Sequence, residues 1–188
     1  LAFDDNMKID FGVFGSSQKD NNIYDTQMLF YSSAAMNPTY PYEAYDGNYV
    51  KNGTASQINP PGALIQERND TKDLNFNTHL QLSCMLPYNM KLTALGAYSY
   101  SSQEDGKFAP TWVWAQGLAY RGETKSEQLM GHIDLNWNYI SSVHRVKAML
   151  SGEYQTNKIT AFWTQVKGFT SNAFGYNNLA AASTISYG

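Results

Sequence analysis

Alternation of apolar and polar side chains is the strongest pattern in this chain. From Leu74 to Leu86 most even positions are apolar, and the odd positions are mainly polar. This period of two residues is that of a β-strand with one apolar face. The pattern resumes after Pro87-Tyr88-Asn89 and continues to Tyr100. The two segments therefore predict a hairpin of two long strands joined by three residues.

Across the whole chain the alternation predicts five strands and three long loops. We expect strands at about residues 6–16, 73–86, 90–101, 127–140 and 144–156. The long loops are expected at 17–72, 102–126 and 157–188, with a short helix between Ile23 and Met36 and a hairpin turn at Asp46-Gly47. The predicted fold is all-β, an antiparallel up-and-down meander of long strands.

Turn length and face parity together predict the strand register. Facing residues of an antiparallel pair share a face of the sheet. The apolar residues are at odd positions before the turn at 141–144 and at even positions after it, so the turn must contain an even number of residues. It contains four. Pairing about the centre of the turn gives three cross-strand neighbours: Ile133 with Gly152, Gly131 with Tyr154, and His132 with Glu153. We expect each glycine to leave room for the large side chain opposite.

The length of the alternating segments is the first indication of function. Strands of globular sheets usually have about five or six residues, whereas a tilted strand that spans a bilayer needs at least about nine. Short turns also alternate with long loops, as periplasmic turns and extracellular loops do in outer-membrane barrels, and aromatic residues lie near both ends of the strands. We therefore expect part of a transmembrane β-barrel in a bacterial outer membrane.

Composition narrows the class of protein further. Charged residues make up 15% of the chain, below the roughly 25% of soluble domains, and aromatic residues make up 14%. No run of apolar residues is long enough for a transmembrane helix. The net charge of -3, without a lysine or arginine cluster, argues against a nucleic-acid partner. The chain opens without a signal peptide, so we interpret it as a fragment whose export signal lies elsewhere.

Candidate binding residues form two groups. The first is a set of aromatic residues in the second long loop, which we expect to stack on sugar rings or to contact a partner: Phe108, Trp112, Trp114 and Tyr120. Packing within the loop is the alternative. The second is the polar face of the strands, expected to line a barrel lumen: His79, Gln81, His132, Asp134 and Glu153, with Lys8, Asp10 and Lys147. The alternative for that face is ordinary contact with solvent.

Catalytic and metal sites are not predicted. His132 and Glu153 lack a nucleophile with a supporting third group. His79, His132 and Cys84 do not have the spacing of metal ligands, and no glycine-rich phosphate loop occurs. We therefore expect neither enzyme activity nor a cofactor.

Several phrases resemble those of one protein family, the SusC/RagA-like TonB-dependent transporters. They occur in order along nearly the whole chain: Asn37-Pro38-Thr39, Tyr45-Asp46-Gly47-Asn48-Tyr49, residues 63–68 (ALIQER), residues 86–92 (LPYNMKL), Gly168-Phe169, and residues 174–183 (FGYNNLAAAS). The last is the most specific. The chain, residues 1–188, thus resembles the first strands of that family's barrel with their extracellular loops.

The resemblance implies a twenty-two-stranded outer-membrane barrel with an amino-terminal plug. Such a protein imports oligosaccharides or oligopeptides captured under a SusD-like surface lipoprotein, and TonB energises it through the plug. The plug, the TonB box and most of the strands are absent from this sequence, so transport would require the rest of the protein. The alternative, from a different class, is a soluble all-β glycan-binding module whose apolar faces pack sheet on sheet.

Overall fold

A computed structural model describes residues 2–4, 6–39, 41, 43, 64–111, 113 and 116–187. These residues form one sheet of seven strands whose order in space is their order in the chain. The strands are β1 (Ala2–Asp4), β2 (Met7–Asn21), β3 (Arg68–Leu86), β4 (Met90–Ala109), β5 (Leu118–Ile140), β6 (Arg145–Phe169) and β7 (Ala182–Tyr187). The predicted all-β antiparallel meander is confirmed.

Helical structure is confined to short segments. Helix α1 spans Thr26–Ala35, within the predicted range, and Asp25 caps it by accepting a hydrogen bond from the Met28 amide at 2.9 Å. Two 3-10 turns span Gly175–Asn177 and Leu179–Ala181. None of the helices in the described part of the chain is long and apolar enough to span a membrane. The predicted Asp46-Gly47 turn lies outside the described residues.

The strands are longer than the alternation predicted. Strand β6 has 25 residues and extends to Phe169, so the expected loop at 157–188 is wrong: it contains the end of β6 and all of β7. Strand β4 runs to Ala109 and β5 begins at Leu118, so both enter the expected loop at 102–126. Strand β2 runs to Asn21 and β3 begins at Arg68, so both enter the expected loop at 17–72. The alternation ends early because both faces of these extensions carry polar and aromatic side chains, while the backbone ladder continues between neighbouring strands.

The chain divides into two compact units, and each long strand contributes to both. The first unit comprises residues 1–18, 73–103 and 124–161, and the second comprises residues 19–72, 104–123 and 162–188. Among the described residues, every buried hydrophobic side chain belongs to the second unit: Phe108, Ala109, Ala119, Val166 and Phe169. The hydrophobic core therefore lies in the second unit, and the first unit is a sheet without a core of its own.

Contacts in the first unit agree with the register predicted from turn parity. The Ser141 amide donates to the His144 carbonyl at 2.8 Å and closes the turn. A Cβ atom on Gly152 would lie 3.5 Å from the side chain of Ile133, and His132 lies 3.8 Å from Glu153. These two pairings are confirmed.

The expected contact at Gly131 is wrong. A Cβ atom added to Gly131 would meet no atom within 4 Å, so the ring of Tyr154 does not cover this glycine. The Tyr154 side chain is largely exposed instead. Strand pairing fixes which residues face each other but not the direction in which a long side chain leans.

The two faces of the first unit differ in character. Contacts between Asp10 and His79, and between His132 and Glu153, place polar residues on one face of the sheet. The opposite face, here called the apolar face, exposes large hydrophobic side chains from five strands: Met7, Phe11, Val13, Leu74, Phe76, Leu80, Leu82, Tyr98, Leu129, Ile133, Val146, Leu150 and Tyr154. Exposed apolar side chains concentrated on one face are typical of a surface that contacts a partner or a membrane.

Candidate functional site

The polar face of the first unit holds two separate histidine clusters. In one, strand β2 contributes Asp10 and strand β3 contributes His79, whose Nε2 lies 3.2 Å from the Asp10 Oδ1. Gly12 makes room for this contact, because a Cβ atom there would overlap the His79 ring. Gln81 is half-buried two residues further along β3. The structure thus leaves His79 and Gln81 apart from the second cluster.

The second cluster brings together His132, Asp134 and Glu153. His132 Nε2 lies 2.8 Å from Asp134 Oδ2, and His132 Nδ1 lies 3.8 Å from Glu153 Oε2. The Ser151 hydroxyl donates to Asp134 Oδ1 at 2.6 Å. The order is therefore serine, aspartate, histidine, in which the serine proton faces a carboxylate rather than an imidazole. This arrangement gives Ser151 no general base of the kind found in a catalytic triad.

Phe108, proposed as an exposed loop aromatic, is a core residue. It lies near the end of β4, is 3% exposed, and packs edge-to-face against Phe169 with ring centroids 5.8 Å apart. The sheet extends past the expected loop and buries Phe108, so the expected exposed position is wrong, while a binding role for this residue stays a prediction. Trp112 and Trp114 lie outside the described residues.

Tyr120 belongs to an aromatic pair on the second unit. Its ring stacks on Trp163 of β6 with centroids 6.3 Å apart and an interplanar angle of 25°. The Lys107 ammonium lies 5.8 Å from the centroid of the Tyr120 ring. Sequence reasoning missed Trp163 because it falls in the range expected to be loop.

Two open cavities lie in the second unit. The first, of about 620 Å³, is lined in part by Lys19, Asn21, Tyr24, Glu67, Arg68 and Asp70. The second, of about 610 Å³, is lined in part by Gln66, Arg68, Asp70, Asn172, Phe174 and Tyr176. Arg68 and Asp70 line both cavities. Their volumes fall within the roughly 300–1,000 Å³ of small-molecule sites.

A tyrosine fixes one wall of the second cavity. The Tyr176 hydroxyl donates a hydrogen bond to Asp70 Oδ2. Its ring lies over Gly106, where a Cβ atom would overlap it. Burial and the hydrogen bond to Asp70 raise the pKa of Tyr176 to about 12, so the phenol remains a donor at any physiological pH.

No protein-family model and no curated protein matches this chain. Among the described residues, no three histidine, cysteine, aspartate or glutamate side chains are grouped so as to hold a metal ion.

The cavity residues were also missed by sequence reasoning. In the sequence, residues 63–68 and 174–183 are phrases that resemble a family, and no pattern relates one to the other. In the structure, the hydrogen bond between Asp70 and Tyr176 joins residues that are 106 positions apart. A single sequence contains no signal that joins two such distant segments.

Glu67 in the first cavity predicts a pH dependence of stability. Burial, with a further contribution from the Asp25 carboxylate, raises the pKa of Glu67 from 4.5 to about 7. In the folded protein Glu67 keeps its proton to a higher pH than in the unfolded chain. The contribution of the protonated Glu67 to the free energy of unfolding is therefore full below pH 4.5 and is lost as the pH rises through 7. Because the side chain is only half-buried, we expect a loss of about 1 kcal/mol.

The measurement is the thermal midpoint of the wild type and of Glu67→Gln across this pH range. The wild-type midpoint should fall relative to that of Glu67→Gln as the pH rises. Parallel curves for the two proteins would contradict the prediction.

Proposed function

We propose that this chain forms part of the wall of a SusC-like, TonB-dependent importer in a bacterial outer membrane. In this proposal the protein takes up oligosaccharides or oligopeptides with a SusD-like lipoprotein partner. The observation that carries it is the apolar face of the first unit, which the described residues leave exposed on strands of 15 to 25 residues. Hydrocarbon tails would cover such a face, and the ladder of the sheet would satisfy the backbone within the bilayer.

The polar face of the first unit supports an aqueous interior. The Asp10–His79 pair and the cluster around His132 carry charge and hydrogen-bonding groups on the face opposite the hydrophobic side chains. Alternation of lipid-facing and lumen-facing residues is the pattern of transmembrane barrels. In a barrel with a plug, these groups would contact the plug or line the route of the cargo.

The edges of the sheet support a larger barrel. Strand β1 pairs with β2 only near Met7 and Lys8, and β7 pairs with β6 only between Gln165 and Phe169. Along the rest of their length β2 and β6 have a described neighbour on one side only. Further strands of the same protein would satisfy these edges, as closure of a barrel requires.

The role of TonB, the plug and the lipoprotein partner rests on the resemblance of the sequence phrases to the SusC/RagA-like family. A soluble glycan-binding module is the second candidate. The observation in its favour is that the second unit has a buried core around Phe108, Val166 and Phe169, together with two cavities. The two candidates differ in what covers the apolar face.

Membrane fractionation of the intact protein tests the proposal. We expect it to sediment with outer membranes, to resist extraction by alkaline carbonate, and to dissolve only with detergent. Its barrel should also migrate faster on a gel before boiling than after, because closed barrels resist denaturation by dodecyl sulfate at room temperature. Recovery of the folded protein in the detergent-free soluble fraction would overturn the importer and favour the soluble module.

A further inference from the structure

We propose that the two cavities of the second unit form one binding site for an uncharged oligosaccharide, with Arg68 and Asp70 on their shared wall. The inference names a substrate class for the importer proposed above and rests on that proposal only in calling the ligand a cargo. The site itself consists of residues of the second unit.

The shared wall indicates a ligand longer than a single sugar. Each cavity measures about 610–620 Å³, and Arg68 and Asp70 line both of them. A chain molecule could occupy both cavities while it contacts this wall. A compact ligand would fill only one of them.

The charge of the lining favours an uncharged ligand. Arg68 and Asp70 are the charged residues that line the second cavity, and their charges cancel. The first cavity adds Lys19 and Glu67, whose charges are of opposite sign where Glu67 is ionised, above its raised pKa of about 7. A polyanion or a polycation would meet a repulsive charge of its own sign in either cavity. A neutral ligand would meet hydrogen-bond donors and acceptors in balance.

The polar groups of the lining match hydroxyl groups. Every sugar hydroxyl both donates and accepts, and the amide side chains of Asn21, Asn172 and Asn177 also do both. The Arg68 guanidinium adds donors, and the Asp70 carboxylate adds acceptors. A site built on such groups selects ligands that complete its hydrogen bonds.

Aromatic rings complete the second cavity. Phe174, which lines this cavity, is 59% exposed, whereas Phe108 and Pro110 of the same lining are buried. An exposed ring offers a flat apolar surface to the C–H face of a sugar. The combination of one exposed ring and many amides fits a saccharide better than an apolar ligand.

The walls are held before any ligand arrives. Tyr176 is fixed by Asp70 and by its position over Gly106. Asn172 accepts from the Thr111 amide at 3.0 Å and donates to the Thr111 hydroxyl at 3.2 Å. The Arg68 guanidinium donates to the Ile65 carbonyl at 2.9 Å. A preformed site loses less conformational entropy on binding.

Calorimetric titration of the intact protein tests the site. The probes are neutral glucan, xylan, mannan and galactan oligosaccharides of about four to six units, and an equal set of acetylated and amidated neutral peptides of about the same length. At least one oligosaccharide should bind. Phe174→Ala and Asn177→Ala should each raise its Kd by about three- to tenfold, through loss of a stacking surface and of a hydrogen bond.

Phe30→Ala is the matched control, because Phe30 is 71% exposed on α1 and does not line the second cavity. It should leave the Kd unchanged. Absence of binding by every oligosaccharide, an equal effect of Phe174→Ala and Phe30→Ala, or binding of the peptides instead would each overturn the proposal. If the protein is water-soluble and binds a saccharide through Phe174, the importer proposal is wrong and the binding-site proposal stands. If it is membrane-embedded and binds no saccharide, the reverse holds.

Discussion

Replacement of Leu150 by arginine should destabilise the protein in a bilayer by about 2–4 kcal/mol, the cost of a cationic side chain on the lipid face near the midplane of a barrel. Leu150 lies on the apolar face of β6, and its side chain is 72% exposed in the isolated chain. In water such a substitution on an exposed strand residue would cost little. The size of the effect therefore reports what surrounds the face.

Met149 provides the matched control for this prediction. It is the adjacent residue, it is 69% exposed, and strand geometry places it on the opposite, polar face. Met149→Arg should leave stability nearly unchanged if that face contacts water. The measurement is the thermal midpoint of the intact protein in phosphatidylcholine vesicles, where only Leu150→Arg should lower it. Equal midpoints for the two variants would contradict the assignment of the apolar face to lipid.

Gly106→Ala is the second substitution with a large expected effect. The new Cβ atom would overlap the ring of Tyr176, which lies against the bare backbone of β4. Either the ring moves and loses its hydrogen bond to Asp70, or the strand shifts, and overpacking of this kind costs about 1–3 kcal/mol. We expect a lower thermal midpoint and faster amide hydrogen exchange in the Gly175–Asn177 turn.

Gly96→Ala is the control on the same strand. A Cβ atom at Gly96 would meet nothing within 4 Å, so alanine should be neutral or should stabilise by about 0.4–1 kcal/mol through the unfolded chain. Tyr176→Phe separates the two contributions, because it keeps the ring over Gly106 and removes the hydrogen bond. Unchanged exchange in Gly106→Ala would mean that Tyr176 does not depend on the space above this glycine.

Much of the first unit was predictable because its interactions are local in the sheet. The turn at Ser141–His144 and the parity of its flanking residues were enough to place Ile133 opposite Gly152 and His132 opposite Glu153. A hairpin register is a property of loop length and side-chain period, both of which are written in the sequence. The same reasoning could not place the side chain of Tyr154, whose direction depends on its rotamer.

The second unit was predictable only in part because its contacts join distant segments. The sequence around Phe108 indicates an aromatic loop, whereas the ring is buried against Phe169, sixty-one residues later. The Asp70–Tyr176 hydrogen bond likewise joins the start of β3 to a turn before β7. Neither segment has an alternation of side chains that indicates its partner.

The all-β meander, the short turns and the two chemically different faces of the first unit follow from side-chain period and turn length, which are local properties of the chain. Where the strands end, which aromatic residues are buried, and how Arg68 and Asp70 come to line two cavities depend on contacts that form only in the folded protein. Backbone pairing extends a strand wherever a neighbour is present, whether or not the side chains alternate. A cavity, in turn, exists only once segments far apart in the chain have packed together.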